Sequence, residues 1–174
     1  MGWTTPITWT PGQVVGATDL NTHIRDNEGY LYNGRPMGSV ARNAYYSTSS
    51  ATFADIDATN VIITATLGGT RARTDFMINL GVSPSGGSAA VSVIMDSATY
   101  PVNHNATYGV LYGAAGQYGA SMFNGFCTWT GITPGSHTFK LQWKIAVGTS
   151  LNNGAGTSGS SAPVQDISML LTEY

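Results

Sequence analysis

Charge is scarce in this chain. Only 9% of its residues are Asp, Glu, Lys or Arg, against about a quarter in an average soluble protein. Seven basic and nine acidic residues leave a formal net charge of -2 at pH 7. No basic surface is available to neutralise phosphates, so nucleic acid is not expected as a partner, and polybasic membrane attachment is set aside on the same ground. Long apolar runs are missing too. Nothing approaches the roughly 20 residues of a membrane span, and no membrane insertion is expected. Cysteine occurs once, at Cys127, which rules out a disulfide within the chain and a zinc site built on paired cysteines. The opening MGWTTPITWTPG has no cationic stretch leading into an apolar one, so it does not read as a secretory signal. Synthesis in a cytosol is the expectation.

Hydrophobic residues make up 42% of the 174. With so low a net charge this argues against disorder, and the length suffices for one domain with its own core. The polar surface has to come from Ser, Thr, Asn, Gly and Tyr.

Two regions follow from periodicity. Residues 1–37 read as an arm and a helix, and residues 38–174 as a β-domain. In the arm, Trp3, Pro6, Trp9, Pro11, Gly12 and Gly16 are too irregular for a helix and too interrupted for a central strand. Its two tryptophans need apolar surface, either on their own domain or on another subunit. Residues 18–32, TDLNTHIRDNEGYLY, carry a helical pattern, with Thr18 as the expected N-cap and Asp19 in the first turn. Leu20, Ile24, Asn27 and Leu31 form one narrow stripe, and Asn33-Gly34 supplies the stop. A helix this short is marginal alone. It lies on its own β-domain or self-associates around an axis, where the single Asn27 would fix register. The second reading gives a symmetric homo-oligomer, with a homotrimer as the expectation.

From residue 38 the period becomes two. In HTFKLQWKIAV, residues 137–147, Phe139, Leu141, Trp143, Ile145 and Val147 share one face, while Thr138, Lys140, Gln142 and Lys144 share the other. Residues 71–82 repeat the pattern with Thr74, Phe76, Ile78, Leu80 and Val82 inward. Further strands are expected at 40–46, 52–56, 61–67, 89–96, 107–112, 120–130 and 164–173, the last with Ile167, Met169 and Leu171 inward. Turn signals separate them, and no helices intervene. The fold class is therefore mainly β: an antiparallel β-sandwich or jelly roll preceded by an extended arm and one short α-helix. Residues 148–163, GTSLNNGAGTSGSSAP, read as a loop tethering two strands.

Signals for chemistry are sparse. His23, His104 and His137 show no metal-ligand spacing. There is no nucleophile elbow, phosphate loop or dinucleotide fingerprint, so no cofactor and no enzymatic activity are expected. Asp55 and Asp57 alternate onto one strand face, and His104 could join Asp96 around a pocket, but solvated side chains explain all four. Cys127 sits in an apolar strand as an inert thiol. Aromatics stand out more: Tyr45, Tyr46, Tyr100, Tyr108, Tyr112 and Tyr118 fall in or beside loops. Such tyrosines offer contact area to a saccharide or protein at low entropic cost. Tyr100, His104, Tyr108, Tyr112 and Tyr118 are the candidate surface ligand contacts.

The segment Trp3-Thr4-Thr5-Pro6-Ile7-Thr8-Trp9, then Gly12-Gln13-Val14-Val15, then Leu20-Asn21-Thr22-His23-Ile24-Arg25-Asp26-Asn27 resembles the opening of many tailed-phage and prophage structural proteins. That opening reads W-T-T-P-x-T-W, then G-E-x-V-T-A, then L-N-T-H-[VI]-R-D-N. Here Gln13 stands for the usual Glu, and Gly16-Ala17 for Thr-Ala. More loosely, Gly135-Ser136-His137-Thr138-Phe139-Lys140-Leu141-Gln142-Trp143 looks like the G-x-H-T-x-x-[LV]-x-[WY] strand of phage β-sandwich modules. The resemblance implies a virion component, made in the host cytoplasm and released by lysis. Its partners would be other virion proteins of capsid or tail and, at its exposed end, a host-surface glycan or protein. Trp3, Pro6, Trp9, Val14 and Val15 would dock on the particle. A tail-fibre or tail-tip role is the expectation; a capsid decoration or head-fibre protein is the alternative, and a carbohydrate-binding module or small polysaccharide-cleaving enzyme the further one.

Overall fold

Alternation with period two dictates strands that bury one face, and two such sheets bury each other's. The computed structural model describes residues 5, 7–28, 35–83, 86–114, 121–153 and 167–174. They divide into two compact units, Met1–Arg35 with Tyr174, and Pro36–Glu173.

The larger unit is an antiparallel β-sandwich. One sheet has six strands: β1 (Arg35–Arg42), β2 (Ser47–Thr48), β5 (Arg71–Ser83), β8 (Ser121–Thr130), β10 (Ser150–Asn152) and β11 (Ile167–Glu173). The other has five: β3 (Ala54–Asp55), β4 (Ile62–Leu67), β6 (Ser88–Met95), β7 (Leu111–Ala114) and β9 (Gly135–Val147). Each sheet is organised by one long strand. In β5, Thr74 faces Leu171 of β11 on one side and Cys127 of β8 on the other. In β9, Lys140 faces Ile94 of β6 on one side and Ile62 of β4 on the other, and β3 takes over from β4 at Gln142.

The inner faces are those the alternation marks. Phe76, Ile78, Leu80 and Val82 of β5, Phe139, Leu141 and Trp143 of β9, and Ile167, Met169 and Leu171 of β11 belong to one buried cluster. Trp129 meets Phe139 edge to face across the sandwich, with ring centroids 5.3 Å apart. Its indole N–H donates to the Thr74 hydroxyl at 2.8 Å, which explains a threonine on an otherwise apolar face. The Cys127 thiol is fully buried, and burial pushes its pKa up to about 12.

Three expectations need correction. Val147 does not continue the inner row and is 58% exposed. The pairing of β6 with β9 slips between Ser88 and Ala89, whose partners are Val147 and Ile145. The extra residue in β9 moves Val147 to the other face. The stretch expected as a loop from 148 contains β10, which pairs with both β5 and β2. There Leu151 is fully buried, and the Asn153 side chain accepts from the Tyr46 amide and donates to the Ala44 carbonyl. A side-chain amide thus substitutes for a strand partner; the rest of the expected loop, from residue 154, lies outside the described residues. Finally, Thr18 is not the helix cap. Gly16 holds that position with extended backbone and no side-chain cap, and α1 (Ala17–Leu20) runs on into a π-helical turn, Asn21–Arg25. Thr18 is thereby inside the helix.

In the smaller unit the arm is locally shaped. Thr10-Pro11-Gly12-Gln13 is a reverse turn closed by Gln13 N–H to the Thr10 carbonyl, with Gly12 at φ 84°. The Gln13 side chain accepts from the Thr10 amide.

In β8, Gly125 lies opposite Phe76. A Cβ there would sit 2.6 Å from the Phe76 ring, so the ring occupies the space that the missing side chain leaves. Gly125→Ala should cost about 1–3 kcal/mol through overpacking, read as a lowered midpoint in denaturant with an unchanged slope.

Candidate functional site

The outer face of the five-stranded sheet should be its solvated side, yet β6 is buried on both faces. The cover is the segment 96–110 between β6 and β7, which folds back over the sheet. Its backbone is fixed at several points. Asp96 and Ser97 take φ of 51° and 60°, a region that non-glycine residues seldom occupy. Asn105 and Gly109 bridge each other, and the Asn105 side chain accepts from the amides of Thr107 and Tyr108. Val102 N–H donates to the Thr128 carbonyl, while the Asn103 side chain donates to the Phe126 carbonyl and accepts from the Thr128 amide. The segment thus also closes the edge of β8, a common risk in sandwiches.

Beneath it, neutral and charged groups are linked. The Tyr100 hydroxyl donates to the Gln142 side-chain carbonyl at 3.1 Å, and the Gln142 amide donates to Asp55 at 2.7 Å. Lys140 reaches Asp55 at 3.1 Å and the Ser97 hydroxyl at 3.3 Å. His104 stacks on Tyr100 with centroids 3.9 Å apart, its Nδ1 2.9 Å from the Ser92 hydroxyl. Phe53 lies 5.3 Å from the His104 ring and under the Lys144 ammonium. Burial, reinforced by the Lys144 charge, lowers the His104 pKa. Burial also raises that of Tyr100, with the Asp55 charge adding to it.

On this base stand exposed rings. Tyr108 and Tyr112 pack edge to face at 4.9 Å and are 52% and 44% exposed. The Tyr112 hydroxyl lies 3.0 Å from that of Ser88. Tyr100, within the segment and stacked on His104, is also partly exposed. Of the candidate contacts, Tyr100 pairs with His104 and Tyr108 with Tyr112, while Tyr118 lies outside the described residues. The sequence did not mark Phe53, Ser92 or Asp55 as members. Gln142, Lys140 and Lys144 were legible as one polar strand face, but not as the floor of this cluster.

Neither juxtaposition that the sequence allowed is formed. Asp96 is not with His104; its carboxylate holds His137 Nδ1 at 2.7 Å and accepts from the Thr138 amide at 2.8 Å. Asp57 does not share a strand face with Asp55, because β3 ends at Asp55. Asp57 instead caps a turn, and its pKa is well lowered by the Asn60 side chain and the amides of Thr59 and Asn60. Among the described residues no three His, Cys, Asp or Glu side chains converge where a metal ion could sit.

The arm and helix residues divide similarly. Val14 is 91% exposed, Val15, Leu20 and Ile24 are also exposed, Trp9 is half-buried and Asn27 is buried with its amide donating to the His23 carbonyl. Trp3, Pro6 and Leu31 lie outside the described residues. The chain matches no protein-family model and no curated protein.

Gly109 sets how closely the segment approaches the sheet. Its φ is 66°, and a Cβ would lie 2.5 Å from the Val91 carbonyl oxygen and 2.9 Å from Phe53. Gly109→Ala should therefore lift the segment, at a cost on the order of 1–3 kcal/mol. In NMR spectra the ring-current shifts of the Tyr100–His104 stack should collapse, while those of Trp129 and Phe139 persist.

Proposed function

We propose that the chain is a non-enzymatic structural component of a bacteriophage particle, attached through its N-terminal segment and displaying the β-sandwich outward. The observation that carries this reading is the uneven burial of apolar side chains. The sandwich encloses its own core, whereas Ile7, Val14, Val15, Leu20 and Ile24 of the arm and helix stay exposed. Those residues fall in the segment whose wording resembles phage structural proteins, and they suit docking on another virion protein. Symmetric association, with a homotrimer as the form proposed, would cover such surfaces. Met122, Phe126 and Leu170, exposed on the six-stranded sheet, offer further area for it.

Within the particle the reading is a tail-fibre or tail-tip protein whose tyrosine-bearing segment meets a glycan or protein of the host surface. A capsid decoration or head-fibre protein uses the same attachment and is the second reading. Against a polysaccharide-cleaving enzyme stands the engagement of the groups that could do chemistry. Asp55 is held by Lys140 and Gln142, Asp96 by His137 and Thr138, and both His137 nitrogens are occupied.

Deleting residues 1–17 tests the attachment. The truncated chain should remain folded, with an unchanged β-rich circular dichroism spectrum, but fail to join particles when supplied in place of the full chain. Trp3→Ala combined with Trp9→Ala should reproduce much of that defect. Normal incorporation of the truncated chain would reverse the proposed polarity.

A further inference from the structure

We propose that His137 is a pH-operated latch that fastens the start of the 96–110 segment to the sandwich through its imidazolium form. Its two ring nitrogens face two oxygens. Nδ1 lies 2.7 Å from the Asp96 carboxylate, and Nε2 lies 2.7 Å from the Thr133 carbonyl. A carbonyl only accepts, and an ionised carboxylate only accepts. A neutral imidazole carries one N–H, so it would set a lone pair against one of them. Only the doubly protonated ring satisfies both.

The latch acts on a backbone that needs holding. Asp96 and Ser97 are successive non-glycine residues at positive φ, a cost that persists where the surroundings over-determine the conformation. The Met95–Thr99 bridge closes the turn, and three contacts tie it to β9: Asp96 N–H donates to the Thr138 carbonyl, the Thr138 amide donates to the Asp96 carboxylate, and His137 donates to that carboxylate. The segment they start carries Tyr100, His104 and Tyr108, so the latch adds to the anchors at Val102, Asn103 and Asn105 that present those rings.

Few other charges or titratable groups face His137. The cleft of about 290 Å³ beside it is lined by Asp96 and Tyr100 as its titratable members besides His137, with Trp129, Thr130 and Thr133 among the rest. β4 sets Ala65 opposite it. Lys140, further along β9, is engaged by Asp55 and Ser97. The hydrogen bonds that His137 donates to Asp96 and Thr133 raise its pKa against the opposing effect of burial. Burial pushes the Asp96 carboxyl up, but the His137 and Thr138 hydrogen bonds prevail and leave it lowered. Each unit by which the His137 midpoint rises is a tenfold preference of the closed latch for the imidazolium. A raised folded value means that the latch is fully effective below the unfolded value of about 6.5 and is lost as pH rises through the folded value.

The test is an NMR titration of the full chain with resolved imidazole signals. His137 should show two protonated ring nitrogens at pH 6 and a midpoint above the ordinary histidine value. Exchange of the Val102, His104 and Asn105 amides, corrected for intrinsic rates, should accelerate as pH passes that midpoint. Asp96→Asn keeps an acceptor for the Thr138 amide and turns its NH₂ toward Nδ1, which then suits a neutral ring. In that variant the His137 midpoint should fall below the ordinary value, and the pH dependence of exchange should vanish. One protonated nitrogen at pH 6, a midpoint at or below the ordinary value in the native chain, or segment amides indifferent to the titration would each overturn the latch. The native titration stands even if the variant fails to fold.

Discussion

The edge-to-face contact of Trp129 on Phe139 is the joint on which the sandwich depends. It links β8 of one sheet to β9 of the other at the end where the 96–110 segment begins. An indole that size is buried at least cost when its N–H is satisfied, and Thr74, on the neighbouring strand β5 of the same sheet, supplies the acceptor. One hydrogen bond therefore lets three strands share the core. Around it the side chains of β5, β9 and β11 interdigitate, and among the described residues Glu173, at the end of β11, is the one buried charged side chain, so the scarcity of charge in the sequence becomes intelligible. The surface is furnished with hydroxyls, amides and rings.

The same economy governs the margins. Where a strand ends or an edge lies open, a neutral amide or an acceptor side chain stands in for the missing backbone partner. Asn153 does this for the residues ahead of β2, Asn103 for β8 and Asn105 for the turn over β6. The Glu173 carboxylate receives the amides of Gly68 and Gly69 at the turn between β4 and β5. Such contacts are local hydrogen bonds rather than ion pairs, so salt should affect them little. They also explain how chain with weak secondary-structure signals is still pinned in place.

Much of this was legible and some was not, for identifiable reasons. Long strands with strict alternation, such as 71–82 and 137–147, announced their faces, because burial of one side leaves a periodic trace. Val147 broke the pattern because a bulge is a property of pairing, and one strand read alone does not reveal its partner's register. β10 escaped because three residues in a Gly- and Asn-rich stretch have no period; Leu151 was the one apolar clue. The tyrosines were conspicuous as exposed aromatics, but their support by Phe53, Ser92 and Asp55 joins distant parts of the chain. His104 and Asp96 are eight residues apart and could have shared a pocket, although the sequence favoured solvated side chains. The fold instead brought Asp96 to His137, because an antiparallel pairing continues past Met95 into the turn.

The burial of Cys127 carries a consequence of a different kind. With its thiol sealed between the sheets and its ionisation pushed far from neutrality, the sulfur has neither access nor nucleophilic form in a folded copy. In an unfolded copy it has both. In oxidising surroundings folded chains remain chemically indifferent while unfolded ones become joined in pairs through their single thiol. The lone cysteine thus marks covalently which copies failed to close their two sheets.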